Sequence, residues 1–222
     1  MAERAEVAAR KLPPELARLL HDLRGPLNSA VMHLEVLKRT VSEDQSSAES
    51  LRMVLQQLVK LSEMLPAAFG VAALEAGPLT RVSLRAVAEE ARRAPSLEAV
   101  RLADEPWPDV RADPPLLAIG IAELLRNAVE ATAAGDRPPE VSAGSDTGAV
   151  ALSVRDWGRG LPTANPKLLI RLLHSTKPGH RGVGLVTAER VARLHGGALA
   201  FEALPDGARV TLQLPALAAI QD

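Results

Sequence analysis

The chain has 222 residues, of which 47% are hydrophobic and only 2% aromatic, and its formal net charge is −1 at pH 7. That length suits one large or two small globular domains. The hydrophobic content is normal for a globular protein and too high for a disordered chain. The balanced charge gives no indication of the basic surface with which proteins bind nucleic acid or anionic membranes.

Cysteine is absent, which excludes disulfides, thiolate catalysis and cysteine-ligated metals. The chain contains no run of about 18 uncharged apolar residues, so no membrane span is predicted. The N-terminus lacks the apolar run of a signal peptide. We therefore expect a soluble, cytoplasmic protein with an aliphatic core.

The first third of the chain is predicted to form two amphipathic helices joined by the polar stretch Ser42–Ser47. Apolar residues recur at alternating spacings of four and three, as in a coiled coil or helical bundle. The first stripe contains Leu16, Leu20, Leu23, Leu27, Ala30, Leu34, Leu37 and Val41, and the second contains Leu51, Val54, Leu58, Leu61, Leu65, Ala68 and Ala72. Pro14 suits the first turn of the first helix, whereas Pro66 is expected to kink or end the second.

Two helices alone cannot enclose both stripes, but two copies can, which predicts a homodimer with an antiparallel four-helix bundle. The alternative is a hairpin that packs onto its own chain. We assign residues 1–76 to this helical hairpin.

Residues 77–222 are predicted to form an α+β sandwich, with a mixed or antiparallel sheet and helices on one face. Predicted strands cover Val82–Leu84, Ala99–Leu102, Glu140–Ala143, Ala149–Arg155, Leu199–Ala203 and Arg209–Leu214. Predicted helices cover Leu84–Ala94, Pro115–Ala134 and Gly184–His195, and a long loop covers Leu161–Arg181. His195-Gly196-Gly197 is expected to be a structural turn.

His21, followed by Asp22, lies one position past a stripe residue and should therefore reach solvent. An imidazole beside a carboxylate can act as a nucleophile that the carboxylate orients or deprotonates. A lone His-Asp pair on a surface helix is more often incidental. Pro26, five residues on, interrupts the helix at a cost of about 3 kcal/mol, which suggests a local need for a deformable turn.

Glu123 and Asn127 are four residues apart on a predicted helix, so their oxygens share one face and suit Mg²⁺. Gly182 and Gly184 precede and open another helix, where free backbone amides favour phosphate. A turn that contains Asp156, Gly158 and Gly160 follows a strand. Each of these patterns is weak by itself.

Together, in this order, the strings resemble those of two-component histidine kinases. His21-Asp22-Leu23-Arg24-Gly25-Pro26-Leu27 resembles the phospho-acceptor box on a dimerisation hairpin. Glu123 to Ala131 resembles the N-box of the ATP-binding fold that histidine kinases share with gyrase, Hsp90 and MutL, and the turn Asp156–Gly160 and Gly182-Val183-Gly184 resemble its two glycine boxes.

The resemblance implies that His21 attacks the γ-phosphate of ATP with help from Asp22, and that a receiver aspartate of a response regulator accepts the phosphoryl group. It implies that Asn127, with Glu123 nearby, coordinates Mg²⁺ and that Asp156 binds the adenine amine. The stretch Ser175-Thr176-Lys177-Pro178-Gly179 resembles the end of the nucleotide lid, so Thr176 is expected to bind phosphate oxygens and Lys177 the γ-phosphate.

Two departures from the family pattern stand out. Gly25 occupies the position where many members carry Thr or Asn to position water for dephosphorylation, so phosphatase activity is in doubt. The lid is short, and Leu172 and Leu173 stand near the place of its usual phenylalanine.

Two alternatives stay open: a phosphorelay module whose second domain is only a scaffold, and an ATPase or serine kinase of the same fold. The signal would come from a separate sensor protein, from a ligand of the core, or from sequence outside this chain.

Overall fold

The computed structural model describes residues 14–39, 45–132, 137–146, 148–161, 163, 165–170 and 183–217. The chain divides into two compact units. One contains Met1–Ala73 and Arg171–Val183, and the other contains Leu74–Ile170 and Gly184–Asp222.

Two long helices, α1 (Pro14–Arg39) and α2 (Gln45–Ala72), pack against each other in the first unit. Of the two expectations for Pro66, the end of the helix is wrong, because α2 continues to Ala72, and the kink stays a prediction. Ala68 and Val71 are buried beyond this proline, and their burial offsets the hydrogen bond that a proline removes. The predicted turn Ser42–Ser47 is too long at its C-terminal end, since α2 already begins at Gln45, and residues 40–44 lie outside the described part.

Alternate members of each predicted stripe face the neighbouring helix. Leu23 of α1 and Leu61 of α2 form one buried cluster. Ala30 of α1 and Val54 of α2 are also buried. Because residues late in α2 meet residues early in α1, the two helices run antiparallel. Leu27, Leu34, Leu51 and Leu58 of the same stripes are exposed, whereas Leu37 and Ala72 are half-buried.

The second unit contains seven strands within the described residues. A two-stranded sheet pairs β1 (Thr80–Ser83) with β3 (Asp109–Ala112), antiparallel. The five-stranded sheet has the order β2-β4-β5-β7-β6, and its strands are β2 (Arg101–Leu102), β4 (Glu140–Asp146), β5 (Ala149–Asp156), β6 (Ala198–Leu204) and β7 (Gly207–Pro215). Of these pairings, β2 with β4 is parallel and the others are antiparallel, so of the two predicted alternatives the sheet is the mixed one.

The remaining helices are α3 (Leu84–Ala91), α4 (Pro114–Ala131), α5 (Pro166–Leu169) and α6 (Gly184–Leu194), with a 3₁₀ turn at Pro95–Leu97. Leu84 opens a helix instead of ending a strand, because the hydroxyl of Ser83 accepts the Ala86 N–H (3.4 Å) and caps α3. The strand Asp109–Ala112 was missed, since only Val110 and Ala112 of its four residues are buried.

The core of this unit lies between one face of the five-stranded sheet and α4. Val150, Leu152 and Val154 alternate inward along β5, and α4 presents Leu117, Ile121 and Leu125 within the same cluster. Helix α6 packs directly on α4, because Gly120 has no side chain to hold Val191 away. This close approach determines where α6 begins relative to the polar face of α4.

Candidate functional site

Helix α4 carries Glu123 and Asn127 on one half-buried face. Asp113 caps its start by accepting the Leu116 N–H at Oδ1 (3.1 Å), and two prolines follow in its first turn. The carboxylate of Glu123 is paired with Arg126, whose Nε donates to Oε2 (3.3 Å) and whose second guanidinium nitrogen donates to Oε1. The acidic group predicted for metal binding therefore has a cationic partner in this structure.

The first residue of α6 lies against these two side chains. A Cβ atom at Gly184 would stand 2.9 Å from Glu123 Oε2 and 3.3 Å from Asn127 Nδ2. The Nδ2 atom of Asn127 is buried and has no hydrogen-bond partner among the described residues. A buried amide without a partner is costly unless a ligand satisfies it, so this group is poised for an oxygen-rich ligand.

The turn after β5 lies beside the last turn of α4. Asp156 is buried, and its Oδ1 accepts the Gly158 N–H (3.0 Å). Gly158 packs so closely on the carbonyl of Ala131 that any side chain would overlap it. Ala131 lies one helical turn, about 6 Å, beyond Asn127. The structure thus brings Gly184 and the Asp156 turn to the side of α4 that carries Glu123 and Asn127.

The residues present fit a magnesium ion that is held mainly by substrate oxygens. Glu123 supplies a carboxylate, and Asn127 has an amide that can turn its oxygen toward a ligand. Within the described ranges no group of three or more His, Asp or Glu side chains could hold a metal alone. Mg²⁺ usually binds proteins through one or two groups and takes its other ligands from phosphates and water, so this small donor set is sufficient.

His21 lies on α1 in the first unit with its side chain exposed, as predicted. Asp22 is half-buried, and Leu23 is buried against α2. The helix continues through Pro26. A Cβ atom at Gly25 would meet nothing within 4 Å, so this position has room for a larger side chain.

Three predicted site residues, Thr176, Lys177 and Gly182, lie outside the described residues. The same holds for Leu172 and Leu173, the predicted cover of the nucleotide. Their roles stay predictions.

The structure adds residues that sequence reasoning missed. Arg126 could have been found from its spacing of three from Glu123, which allows a helical ion pair. The contact between Asp113 and His195 could not, because the two residues are 82 positions apart: the Asp113 N–H donates to His195 Nε2 (3.1 Å), while His195 Nδ1–H donates to the Val191 carbonyl (2.8 Å). The structural assignment of His195 fits this buried position between α4 and α6.

Residues 112–218 match the family described as histidine kinase-, DNA gyrase B- and HSP90-like ATPases. The sensor protein DivL of Caulobacter vibrioides is 30% identical over 88% of this chain and 27% of its own length. The sensor histidine kinase ZraS of Escherichia coli O157:H7 is 26% identical over 90% of this chain and 45% of its own length.

Among solved structures, full-length ShkA in complex with AMPPNP aligns with a TM-score of 0.56 and 26% identity, over 91% of this chain and 46% of that one. This chain therefore spans less than half the length of each of these three proteins.

Residues 112–218 belong to this ATPase family, and the second unit is an α/β ATP-binding domain like the catalytic domains of histidine kinases. The chain as a whole is similar to part of the sensor protein DivL and to part of the sensor histidine kinase ZraS. In the described part of the chain, no helix is both long and apolar enough to cross a membrane.

Proposed function

We propose that this chain is an ATP-dependent histidine autokinase that phosphorylates His21 and passes the phosphoryl group to an aspartate of a response regulator. The observation that carries the proposal is the buried, unpartnered amide of Asn127 beside Glu123 and the start of α6, in a domain of the ATPase family. ATP as the substrate implies a cytoplasmic location for this domain.

Nucleotide binding follows from the three elements at the edge of α4. The backbone amides at the start of α6 attract phosphate, because they lack helical partners and lie at the positive end of the helix dipole. Asp156, held by the Gly158 amide, is the acceptor for the exocyclic amine of adenine. Asn127 and Glu123 would hold a magnesium ion, which would neutralise negative charge on the phosphates. We assign Lys177 and Thr176 to the phosphates on the family resemblance.

The chemical step is a displacement at the γ-phosphorus. An unprotonated ring nitrogen of His21 attacks the phosphorus, the bond to the β,γ-bridging oxygen breaks, and ADP leaves with those electrons. The proton on the other ring nitrogen passes to the neighbouring Asp22 carboxylate or to water. The exposed position of His21 on α1 gives a phosphate donor, and later a receiver domain, access to the ring.

The exposed apolar residues of the hairpin support a homodimeric four-helix bundle. Leu27, Val31 and Leu34 lie at helical spacings of four and three along α1, and Leu51, Leu55 and Leu58 do the same along α2. Two such stripes left in water are costly, and a second copy of the hairpin would cover both.

Incubation with γ-³²P-ATP and Mg²⁺ tests the proposal directly. The comparison uses the native chain, His21→Ala, Asn127→Ala and the control His33→Ala, which removes another histidine from the same helix. We expect label that acid removes in the native chain and in His33→Ala, and none in the other two. Phosphohistidine is lost in acid, whereas phosphoserine survives.

Other outcomes would contradict the proposal in distinct ways. Acid-stable label would indicate a serine kinase, and ATP hydrolysis without label would indicate an ATPase. Absence of label from ATP, together with labelling of His21 by a phosphorylated receiver domain, would indicate a phosphorelay module.

A further inference from the structure

Arg155, the residue before Asp156, connects two turns of the second unit. Its guanidinium donates to the Asp156 carbonyl and, across the sheet, to the Ala208 carbonyl (3.2 Å). It also donates to the carboxylate and the carbonyl (3.4 Å) of Asp206, in the turn between β6 and β7. Its side chain is only 14% exposed, whereas that of Asp206 is 67% exposed.

The two turns that Arg155 joins are packed backbone to backbone. Gly207 has φ +133° and lies so close to the Asp156 carbonyl that a side chain would overlap it. Gly160 has φ +76°, and a Cβ there would lie 3.3 Å from the Gly207 carbonyl. Such φ values favour glycine, so the close contact is built into both turns. The guanidinium of Arg155 donates hydrogen bonds to carbonyl groups of both turns.

Arg155 also contacts the aromatic ring next to the adenine-binding carboxylate. Its guanidinium lies 5.0 Å from the centre of the Trp157 ring, and that of Arg137 lies 3.8 Å from the same centre. Arg137 is itself held by Glu140 (3.0 Å) at the start of β4. The residue between Asp156 and Gly158 is therefore restrained by two cations, as expected for cation–π contacts.

We propose that Arg155 is a positioning residue for the nucleotide base: it holds the Asp156 turn so that the carboxylate keeps the direction needed to distinguish adenine from guanine. This inference rests on the proposed function. Adenine offers an amine to Asp156, whereas guanine offers a carbonyl at the equivalent place, so the selectivity depends on the carboxylate's position. A loosened turn would lose selectivity before it lost phosphate binding, which lies at α6.

A neighbouring arginine provides a matched control. Arg209 of β7 is the register partner of Arg155 and forms a 2.7 Å ion pair with Glu202 of β6, also on the sheet. Within the described residues, the ion pair of Arg209 with Glu202 does not include any residue of the Asp156 turn. Replacing Arg209 therefore removes an arginine and an ion pair from the same strand pair without releasing the turn.

The experiment measures the dissociation constants of ADP and GDP with Mg²⁺ by calorimetry for the native chain, Arg155→Gln, Arg155→Lys and Arg209→Gln. We expect Arg155→Gln to weaken ADP binding about tenfold, as the loss of charged hydrogen bonds at one turn predicts, and to leave GDP binding unchanged. Arg155→Lys should restore part of the selectivity, because lysine keeps the charge but not the fork that reaches both turns. Arg209→Gln should retain the native ratio.

A melting curve for each variant separates positioning from general stabilisation. If Arg155 only stabilises the fold, the melting temperature falls while the ratio of the two dissociation constants stays native, and the inference is wrong. Should Arg155→Gln fail to fold, a native ratio in Arg155→Lys overturns the inference equally. Failure of the native chain to bind ADP would instead contradict the proposed function.

Discussion

Gly184 and Glu123, 61 residues apart in sequence, are in contact at the edge of α4: a Cβ atom on Gly184 would lie 2.9 Å from Glu123 Oε2. The same atom would lie 3.3 Å from the unpartnered nitrogen of Asn127. The start of α6, the proposed phosphate-binding helix, therefore adjoins the two groups that we propose for the metal, with no space for a side chain between them.

Gly184→Ala should weaken Mg²⁺-dependent ADP binding by roughly tenfold or more, because the added methyl group displaces Glu123 or Asn127. Calorimetry measures the change. Gly144→Ala is the control, since a Cβ at Gly144 meets nothing within 4 Å. Native ADP affinity in Gly184→Ala would show that this junction does not take part in nucleotide binding.

Arg126→Gln should lower the Mg²⁺ concentration needed for half-maximal ADP binding. Arg126 occupies both oxygens of Glu123, so a metal must compete with its guanidinium, and the positive charge repels the ion. A Mg²⁺ titration at constant ADP measures this. Arg193→Gln, which breaks the similar helical pair with Glu189 (2.9 Å), is the control. An unchanged or higher Mg²⁺ requirement would mean that Glu123 is not a metal ligand.

We expect the native chain to be dimeric and the double variant Leu27→Glu, Leu58→Glu to be monomeric. Both leucines are exposed on the hairpin, and burying a charge in a bundle interface without a partner is strongly unfavourable. Light scattering after size exclusion gives the mass. Gln56→Glu adds a charge at an exposed polar position of α2 and should leave the dimer intact. A dimeric double variant would place the interface elsewhere.

Asp113→Ala should lower the free energy of unfolding of the second unit by about 1–2 kcal/mol, because it removes the cap of α4. The same carboxylate accepts the Gly77 N–H (2.8 Å), so the effect should exceed that of Ser83→Ala, whose cap hydrogen bond is longer at 3.4 Å. Urea unfolding followed by circular dichroism provides both values. Equal losses would show that the contact with Gly77 contributes nothing.

The sequence alone predicted the two amphipathic helices, a sheet that is either mixed or antiparallel, and the order of the nucleotide motifs. These features depend on local spacing: an alternation of apolar residues marks β5, and spacings of four and three mark α1 and α2. The glycines of the Asp156 turn are a local signal of the same kind. The exposure of His21 also followed from its place one residue past the stripe.

Only the tertiary structure decided which half of each stripe lies inside the hairpin, since Leu23 and Leu27 look alike in sequence but differ in burial. It alone brought Gly184 to Glu123, through the packing of Val191 on Gly120, and Arg155 to the turn at Asp206. The physical reason is the same in each case. Contacts between distant segments depend on how sheets and helices pack, and periodicity along the chain carries no information about partners across it.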